Sequence, residues 1–238
     1  MKLDILAFAA HPDDIEISCA GTLLHMKSLG KRIGIIDLTM GERGTRGNAN
    51  LRMEEASHAG TILQLSIREN LHLPDCFFSY SEESLLKIIH VIRKYQPEIV
   101  LANSLQDRHP DHGRAAKLVA DACFYSGLPK IITEYQNQNQ EAWRPANLYH
   151  YIQDFNLIPD FLFDISKYIE QKMEIISCFK SQFYSPDSKE PETPISKADF
   201  LDFIRSKAKT YGREAGFSYA EGFNFSRKPG ITDLFHLK

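Results

Sequence analysis

The sequence predicts an α/β fold in which helices cover both faces of a mostly parallel sheet. Short apolar segments alternate with amphipathic helical patterns through the first half of the chain. A length of 238 residues fits one large domain with a substantial core. Clusters rich in His and Asp follow two of the apolar segments. We therefore expect a single domain, residues 1–238, with its chemistry at one edge of the sheet.

The apolar segments of the first half predict four strands, at residues 3–9, 32–39, 70–73 and 98–102. Between them, apolar residues recur at spacings of three and four and predict helices at 15–29, 51–65 and 82–95. Gly30 is typical of a helix C-terminus, and Pro97 cannot continue the third helix. In a doubly wound sheet the first and fourth strands are commonly neighbours.

The second half is less regular and predicts an elaborated C-terminal part. Its patterns indicate strands at 147–152 and 160–165, a helix at 167–180, an exposed loop at 185–196, a helix at 198–211 and an aromatic tail at 211–225. We find no internal repeat and no clear domain linker.

Composition excludes several classes of function. The net charge of −3 gives no reason to expect nucleic acid or an anionic membrane as partner. Four widely spaced cysteines without a CxxC pattern indicate neither a disulfide framework nor a thiolate zinc site. No apolar run approaches 18 residues, and the start lacks the pattern of a signal peptide, so we expect a reducing cytoplasm.

Two clusters carry the chemistry: Ala-His-Pro-Asp-Asp at 10–14 and Asp-Arg-His-Pro-Asp-His at 107–112. They follow the first and fourth strands, so the predicted topology brings them together in the crevice where such sheets bind ligands. Imidazole and carboxylate suit Zn²⁺ or Fe²⁺, and a catalytic zinc commonly has three protein ligands. One of Asp13 and Asp14 could bind the metal while the other accepts a proton, and Asp111 could orient a histidine. The count fits one metal.

Each cluster alone has a simpler explanation. Asp13 and Asp14 are also typical of a helix N-terminus, and a single histidine is more often an ordinary loop residue. Their combination at two strand ends favours a metal site. The remaining histidines do not belong to such a cluster, and we expect structural or surface roles for them: His25, His58, His72, His90, His150 and His236.

The two clusters resemble the PIG-L/LmbE-like family of metal-dependent N-acetylglucosamine deacetylases. The segments 39–47, 52–56, 181–183 and 221–223 are similar to its bacillithiol-biosynthesis branch. The resemblance implies a Rossmann-like fold, frequent hexamers, and metal ligands at His11, Asp14 and His112. It also implies Asp13 as general base and His109 as the group that stabilises the oxyanion or protonates the leaving amine. The chain departs from the family at 18–21, where Ser-Cys-Ala-Gly replaces a Gly-rich stretch.

Substrate recognition is expected from arginines beside the crevice, since their planar guanidinium groups match carboxylates. The candidates are Arg46, Arg52 and Arg108, together with Glu42, which lies in the same loop region as Arg46. The spacing of Tyr184 and Tyr219 does not select either tyrosine as a site residue.

The predicted protein is a cytoplasmic, mononuclear zinc or iron deacetylase, a homo-oligomer, acting on the malate-linked N-acetylglucosamine precursor of bacillithiol. Another N-acetylated sugar or small amide is the alternative substrate. A non-catalytic sugar- or nucleotide-binding module is the alternative class, although no GxGxxG follows the first strand.

Overall fold

The computed structural model describes residues 1–233 and 235; His236, expected to be structural or superficial, lies outside them. The strands of this part of the chain are β1 (Ile5–Ala9), β2 (Ile33–Asp37), β3 (Ile67–Asn70), β4 (Ile99–Ala102), β5 (Glu134–Tyr135), β6 (Gln138–Asn139), β7 (Asn147–Tyr151), β8 (Phe161–Asp164) and β9 (Ala220–Phe225). The helices are α1 (Asp14–Ser28), α2 (Ala49–Ile62), α3 (Glu82–Tyr95), α4 (Pro110–Tyr125), α5 (Ile169–Ile176) and α6 (Phe200–Ala215), with a 3₁₀ turn at Pro194–Ser196.

Within the described residues, seven strands form one sheet in the order β3-β2-β1-β4-β7-β9-β8, and β5 pairs with β6 in a separate hairpin. The first five strands of this order run parallel, whereas β9 is antiparallel to both of its neighbours. β1 lies beside β4 in parallel register, with Ile5 opposite Ile99 and Ala7 opposite Leu101. The prediction of a mostly parallel sheet with neighbouring first and fourth strands is confirmed.

Helices cover both faces of the sheet, as predicted. Because side chains alternate along a strand, Ile5 and Ala7 face one layer while Leu6 and Phe8 face the other. The first layer contains residues of α1, α2, α5 and α6, and the second contains residues of α3 and α4. Over residues 1–233 and 235, no helix is both long and apolar enough to cross a membrane.

The third strand was predicted at the wrong place, since it covers Ile67–Asn70 and not residues 70–73. Its charged sequence hides the strand, because Arg68 gives no apolar signal and instead forms ion pairs with Glu16 and Asp37. The apolar residues that follow do bond beside β2, but His72 has a φ of 50° and interrupts the strand.

Other elements were not predicted, among them one helix and one strand of the main sheet. Helix α4 begins at Pro110, inside the second polar cluster, so its first turn carries functional residues instead of a helical apolar pattern. Strand β9 occupies the last six residues of the expected aromatic tail. Gly222 lies within it because a side chain there would meet the ring of Tyr211, with Cβ only 3.0 Å from Cε2. Helix ends agreed better, since Gly30 has a φ of 79° just after α1 and Pro97 follows the left-handed C-cap of α3.

Candidate active site

The two predicted clusters meet at the carboxyl ends of β1 and β4. His11 follows β1, while His109 and His112 lie at the start of α4, which follows β4. The ring centre of His11 is 4.7 Å from that of His109 and 5.6 Å from that of His112. The structure therefore brings together side chains that are about a hundred positions apart in the chain.

Asp14 lies between two imidazoles and is held in one orientation. Its Oδ2 accepts hydrogen bonds from the backbone N of His11 at 3.0 Å and from Nδ2 of Asn103 at 2.9 Å. Its Oδ1 is 3.1 Å from Nε2 of His112 and accepts from Nε2 of Gln153 at 3.1 Å. Burial alone would raise the pKa of Asp14, but His112 and His11 outweigh it and hold the pKa well below the usual range. Asp14 is thus an ionised, fixed oxygen donor.

Further carboxylates fix the far sides of these imidazoles. Nε2 of His11 lies 3.1 Å from Oδ1 of Asp75 and 3.3 Å from Oδ2 of Asp111, while its Nδ1 lies 3.8 Å from Oδ2 of Asp14. Nδ1 of His112 contacts Asp107. Outer carboxylates of this kind orient metal-binding histidines and leave their other nitrogen toward the ion. The expected orienting role of Asp111 is compatible with this geometry.

Asp13 belongs to the same turn but has a different partner. Its Oδ2 accepts from Nη2 of Arg52 at 2.9 Å, and the same nitrogen donates to the carbonyl of Pro12 at 2.8 Å. Burial raises the pKa of Asp13, although Arg52 opposes the rise. The pKa of Asp14 is therefore lowered, which suits a metal ligand, whereas the pKa of Asp13 is raised, which suits a proton acceptor.

His109 is half-buried beside the other two histidines. Its Nδ1 accepts from the backbone N of Asp111 at 3.3 Å. Burial, followed by the charges of His11 and His112, lowers the pKa of His109, so its neutral form is favoured. Since Nδ1 is an acceptor, the neutral ring carries its proton on Nε2.

The donor atoms fit a divalent cation. Among the described residues, nitrogen atoms of His11, His109 and His112 lie within 4.8 Å of one another, as do atoms of His11, Asp75 and Asp111. Burial lowers the pKa of each of His11 and His112, but the surrounding carboxylates outweigh it and raise the values to about 9 and about 10. The chain thus collects excess negative charge, which protons on these imidazoles offset when no metal is bound.

A pocket of about 840 Å³, a volume that includes open solvent at its mouth, surrounds this cluster. Arg52 and Arg108 line it, and Arg108 pairs with Asp154 at the rim. Glu42 does not line the pocket; its Oε1 accepts from the backbone N of Asp75 at 2.8 Å and positions that loop.

Arg46 is also directed away from the pocket. Its guanidinium donates to the carbonyl of Ser181 at 3.0 Å, to that of Pro191 at 3.3 Å and to Oγ of Ser188 at 2.9 Å. The side chain is 5% exposed, so these bonds fully engage it. This placement speaks against the expected contact with substrate and indicates that Arg46 fastens residues 181–191 to the loop after β2.

Several polar residues near the site were not selected from the sequence. Arg43 lines the pocket. Asp75 contacts His11, and the side-chain amides of Asn103 and Gln153 donate to Asp14. A simple rule would have found two of them, since Asn103 and Gln153 each come directly after a predicted strand. Tyr184 is exposed, and neither it nor Tyr219 lines the pocket.

The fold and the site together define an α/β enzyme. A cluster of His and Asp residues, of the kind that binds metal ions, lies at the carboxyl edge of its sheet. The sequence profile of the PIG-L family, described as GlcNAc-PI de-N-acetylase, matches residues 6–123. The chain is also 30% identical over 241 residues to diacetylchitobiose deacetylase from Thermococcus kodakarensis, covering 95% of this chain and 84% of that protein. The chain belongs to the PIG-L family and is a hydrolytic deacetylase of N-acetylated sugar-like compounds.

Two other relatives extend this result. The conserved protein TT1542 from Thermus thermophilus has a crystal structure that superposes with a TM-score of 0.86 at 33% identity, covering 98% of each chain. The 4-oxalmesaconate hydratase of Pseudomonas putida is 26% identical over 203 residues, covering 74% of this chain and 73% of that enzyme. Proteins similar to this one therefore include an enzyme named for the addition of water.

Proposed function

We propose that this protein removes the acetyl group from an N-acetylglucosaminyl compound with an anionic aglycone, specifically N-acetylglucosaminyl-malate in bacillithiol biosynthesis. The pocket itself carries the proposal: its floor holds the His/Asp cluster, and Arg43 and Arg108 line its wall. Guanidinium groups recognise carboxylates through paired hydrogen bonds. Malate supplies carboxylates, whereas the chitobiose unit of the relative from Thermococcus is uncharged.

We further propose His11, Asp14 and His112 as ligands of one divalent metal, Zn²⁺ in preference to Fe²⁺. The contacts of Asp14 with both imidazoles support this set, and a His₂-carboxylate set is common at catalytic zinc. When bound, the metal polarises the amide carbonyl and lowers the pKa of water.

The chain's own residues then divide the proton chemistry. Asp13 accepts a proton from water, because its raised pKa makes it a stronger base than an ordinary aspartate. Arg52 holds this carboxylate in place. Nε2–H of His109 donates a hydrogen bond to the oxyanion. The amine leaves with a proton delivered by Asp13 or His109.

Acetate release from three compounds tests the substrate: N-acetylglucosaminyl-malate, diacetylchitobiose and free N-acetylglucosamine. The malate compound should have the highest kcat/KM, and Arg43→Ala or Arg108→Ala should lower it by about tenfold or more, mainly through KM. Arg213→Ala is the control, since Arg213 is exposed and lies off the pocket. Equal efficiency on all three compounds would refute the malate-specific proposal, and turnover of none would refute deacetylation of these sugars.

Substitution of the two aspartates tests their assigned roles. Asp13→Asn should keep its metal but lose about 10²–10⁴-fold in turnover, because an amide cannot accept the proton. Asp14→Asn should instead lose metal, as should His11→Ala and His112→Ala. Elemental analysis of the purified variants, together with kcat, decides between the roles; a reversed pattern of metal loss would exchange ligand and base.

A further inference from the structure

A second, smaller cavity shares part of its lining with the pocket and lies where α1, α5, α6 and β9 meet. It leaves about 30 Å³ for the centres of water molecules, which is room for about two waters. Its lining includes Ser18, Lys172, Lys207, Tyr211 and Glu221. A space of this size admits only a very small ligand.

Two hydroxyl groups of this cavity are buried without a partner. Ser18 is 7% exposed and Tyr211 is 8% exposed. Within residues 1–233 and 235, neither Oγ of Ser18 nor Oη of Tyr211 forms a hydrogen bond. A buried hydroxyl without a partner costs free energy, so the cavity offers two donors that an acceptor would satisfy.

The cavity also has an excess of positive charge. The Lys172 ammonium is paired with Glu221, at 2.6 Å. The Lys207 ammonium donates to the main-chain carbonyls of Gln153, Asp154 and Phe155, but in the described part of the chain it forms no salt bridge with a carboxylate. Burial lowers the pKa of Lys207 to about 8; the charges of Asp154 and Asp107 oppose this fall, and that of Lys172 adds to it. An anion in the cavity would offset this charge.

The second cavity adjoins the candidate active site. Ile17, Gln153 and Ile204 line both spaces. The Gln153 amide donates to Asp14, so the side chain that separates the cavities also contacts the cluster. A small product formed at the cluster is therefore released beside side chains that also line the second cavity.

We propose that the second cavity binds the acetate released by the reaction, with the hydroxyl groups of Ser18 and Tyr211 as its donors and Lys207 as its counter-charge. This inference rests on the proposed function. Hydrolysis breaks the amide C–N bond and forms a C–O bond with water; the amine takes up a proton, and acetate remains as an anion. Acetate has two acceptor oxygens, which match the two free hydroxyl groups, and a methyl group that the apolar side chains accommodate.

Acetate binding to the full chain tests the proposal without catalysis. Saturation-transfer NMR titrations with sodium acetate are run on wild type, Ser18→Ala and Tyr211→Phe, each without metal and loaded with zinc. Both variants remove a hydroxyl that has no hydrogen-bond partner among the described residues, so they should fold normally. Each should weaken acetate binding to the metal-free protein by about tenfold or more. Tyr184→Phe, at an exposed tyrosine, is the matched control and should bind as wild type does.

The outcomes are distinct. Unchanged acetate affinity in both variants would overturn the proposal, as would equal binding of uncharged acetamide, since the cavity is proposed to select an anion. With active enzyme, both variants should raise the inhibition constant for acetate while metal content stays constant. A protein that binds acetate through Ser18 and Tyr211 but deacetylates no sugar would refute the proposed function and leave the anion site intact.

Discussion

At the scale of single residues, the site depends on a strained backbone at Asp13. This residue has a φ of 122°, a conformation that residues with a side chain rarely adopt. The strained turn places Asp13 against Arg52 and the next residue, Asp14, against the histidines. Strain of this kind costs about 1–3 kcal/mol and persists where the surrounding structure enforces it.

Replacement of Asp13 by glycine should relieve that strain. Asp13→Gly and Asp13→Ala lose the same ion pair, so the difference between them reports the backbone alone. The glycine variant should be more stable by about 1 kcal/mol, after allowance for its greater freedom when unfolded. Urea unfolding of both metal-free variants measures the difference. An alanine variant of equal or greater stability would show that the turn is not strained.

The sequence predicted that the two clusters would meet, but it did not predict most of the residues that surround them. His11, Asp14, His109 and His112 meet because each follows a strand that an apolar run identifies. Asp75 could not be identified in this way, since it comes five residues after β3, a charged strand that no apolar run reveals. Arg46 shows the converse, because its residue type suits a carboxylate ligand while its carbonyl partners are set by a distant loop.

At the scale of elements, helix α6 connects the two cavities. Phe200, Phe203 and Ile204 line the candidate active site, while Ile204 and Lys207 line the smaller cavity one turn further on. Its apolar periodicity predicts the helix, but the periodicity does not show which ligand each turn faces. The helix also ends later than predicted, at Ala215, where Gly216 forms a left-handed C-cap.

The position of Lys207 on this helix predicts a pH dependence of acetate binding. Its pKa of about 8 means that the ammonium loses its proton as pH rises through that value. The carboxylates of Asp154 and Asp107 also act on Lys207 and keep their charge at these pH values. The other groups that face the cavity are the Lys172–Glu221 pair and Tyr211, whose pKa burial raises to about 12. Acetate affinity should therefore fall between pH 7 and 9.5. Affinity that stays constant over this range would remove Lys207 as the counter-charge.

At the scale of the whole molecule, the last strand holds the C-terminal part of the sheet together. β9 lies between β7 and β8, and within the described residues β8 has no other neighbour in the sheet. Glu221 of β9 also accepts from the backbone N of Gly21 and Thr22 and from Lys172, which fastens α1 and α5. The parallel strands were predictable because local sequence patterns identify them. The insertion of β9 between β7 and β8 was not predictable, because it joins segments that are far apart in the chain.

Truncation should show how much depends on β9. A chain that ends at residue 215 should lose cooperative unfolding, because β8 has no partner and Lys172 is left as a buried, unpaired charge. A chain that ends at residue 230 keeps β9 and should unfold like the full chain. Thermal unfolding followed by circular dichroism, with size-exclusion chromatography, compares the two. Cooperative, monodisperse behaviour of the shorter chain would contradict the role given to β9.

The insertion of β9 also has a consequence for the newborn chain. During synthesis, β8 leaves the ribosome first, and residues 165–219 must follow before its only described partner strand appears. At usual translation rates this delay is roughly 3–11 seconds. For that time, Phe161 and Phe163 stand on a strand without a neighbour, open to association with other nascent chains. Codon usage over residues 165–219 thus sets how long the chain needs protection by chaperones.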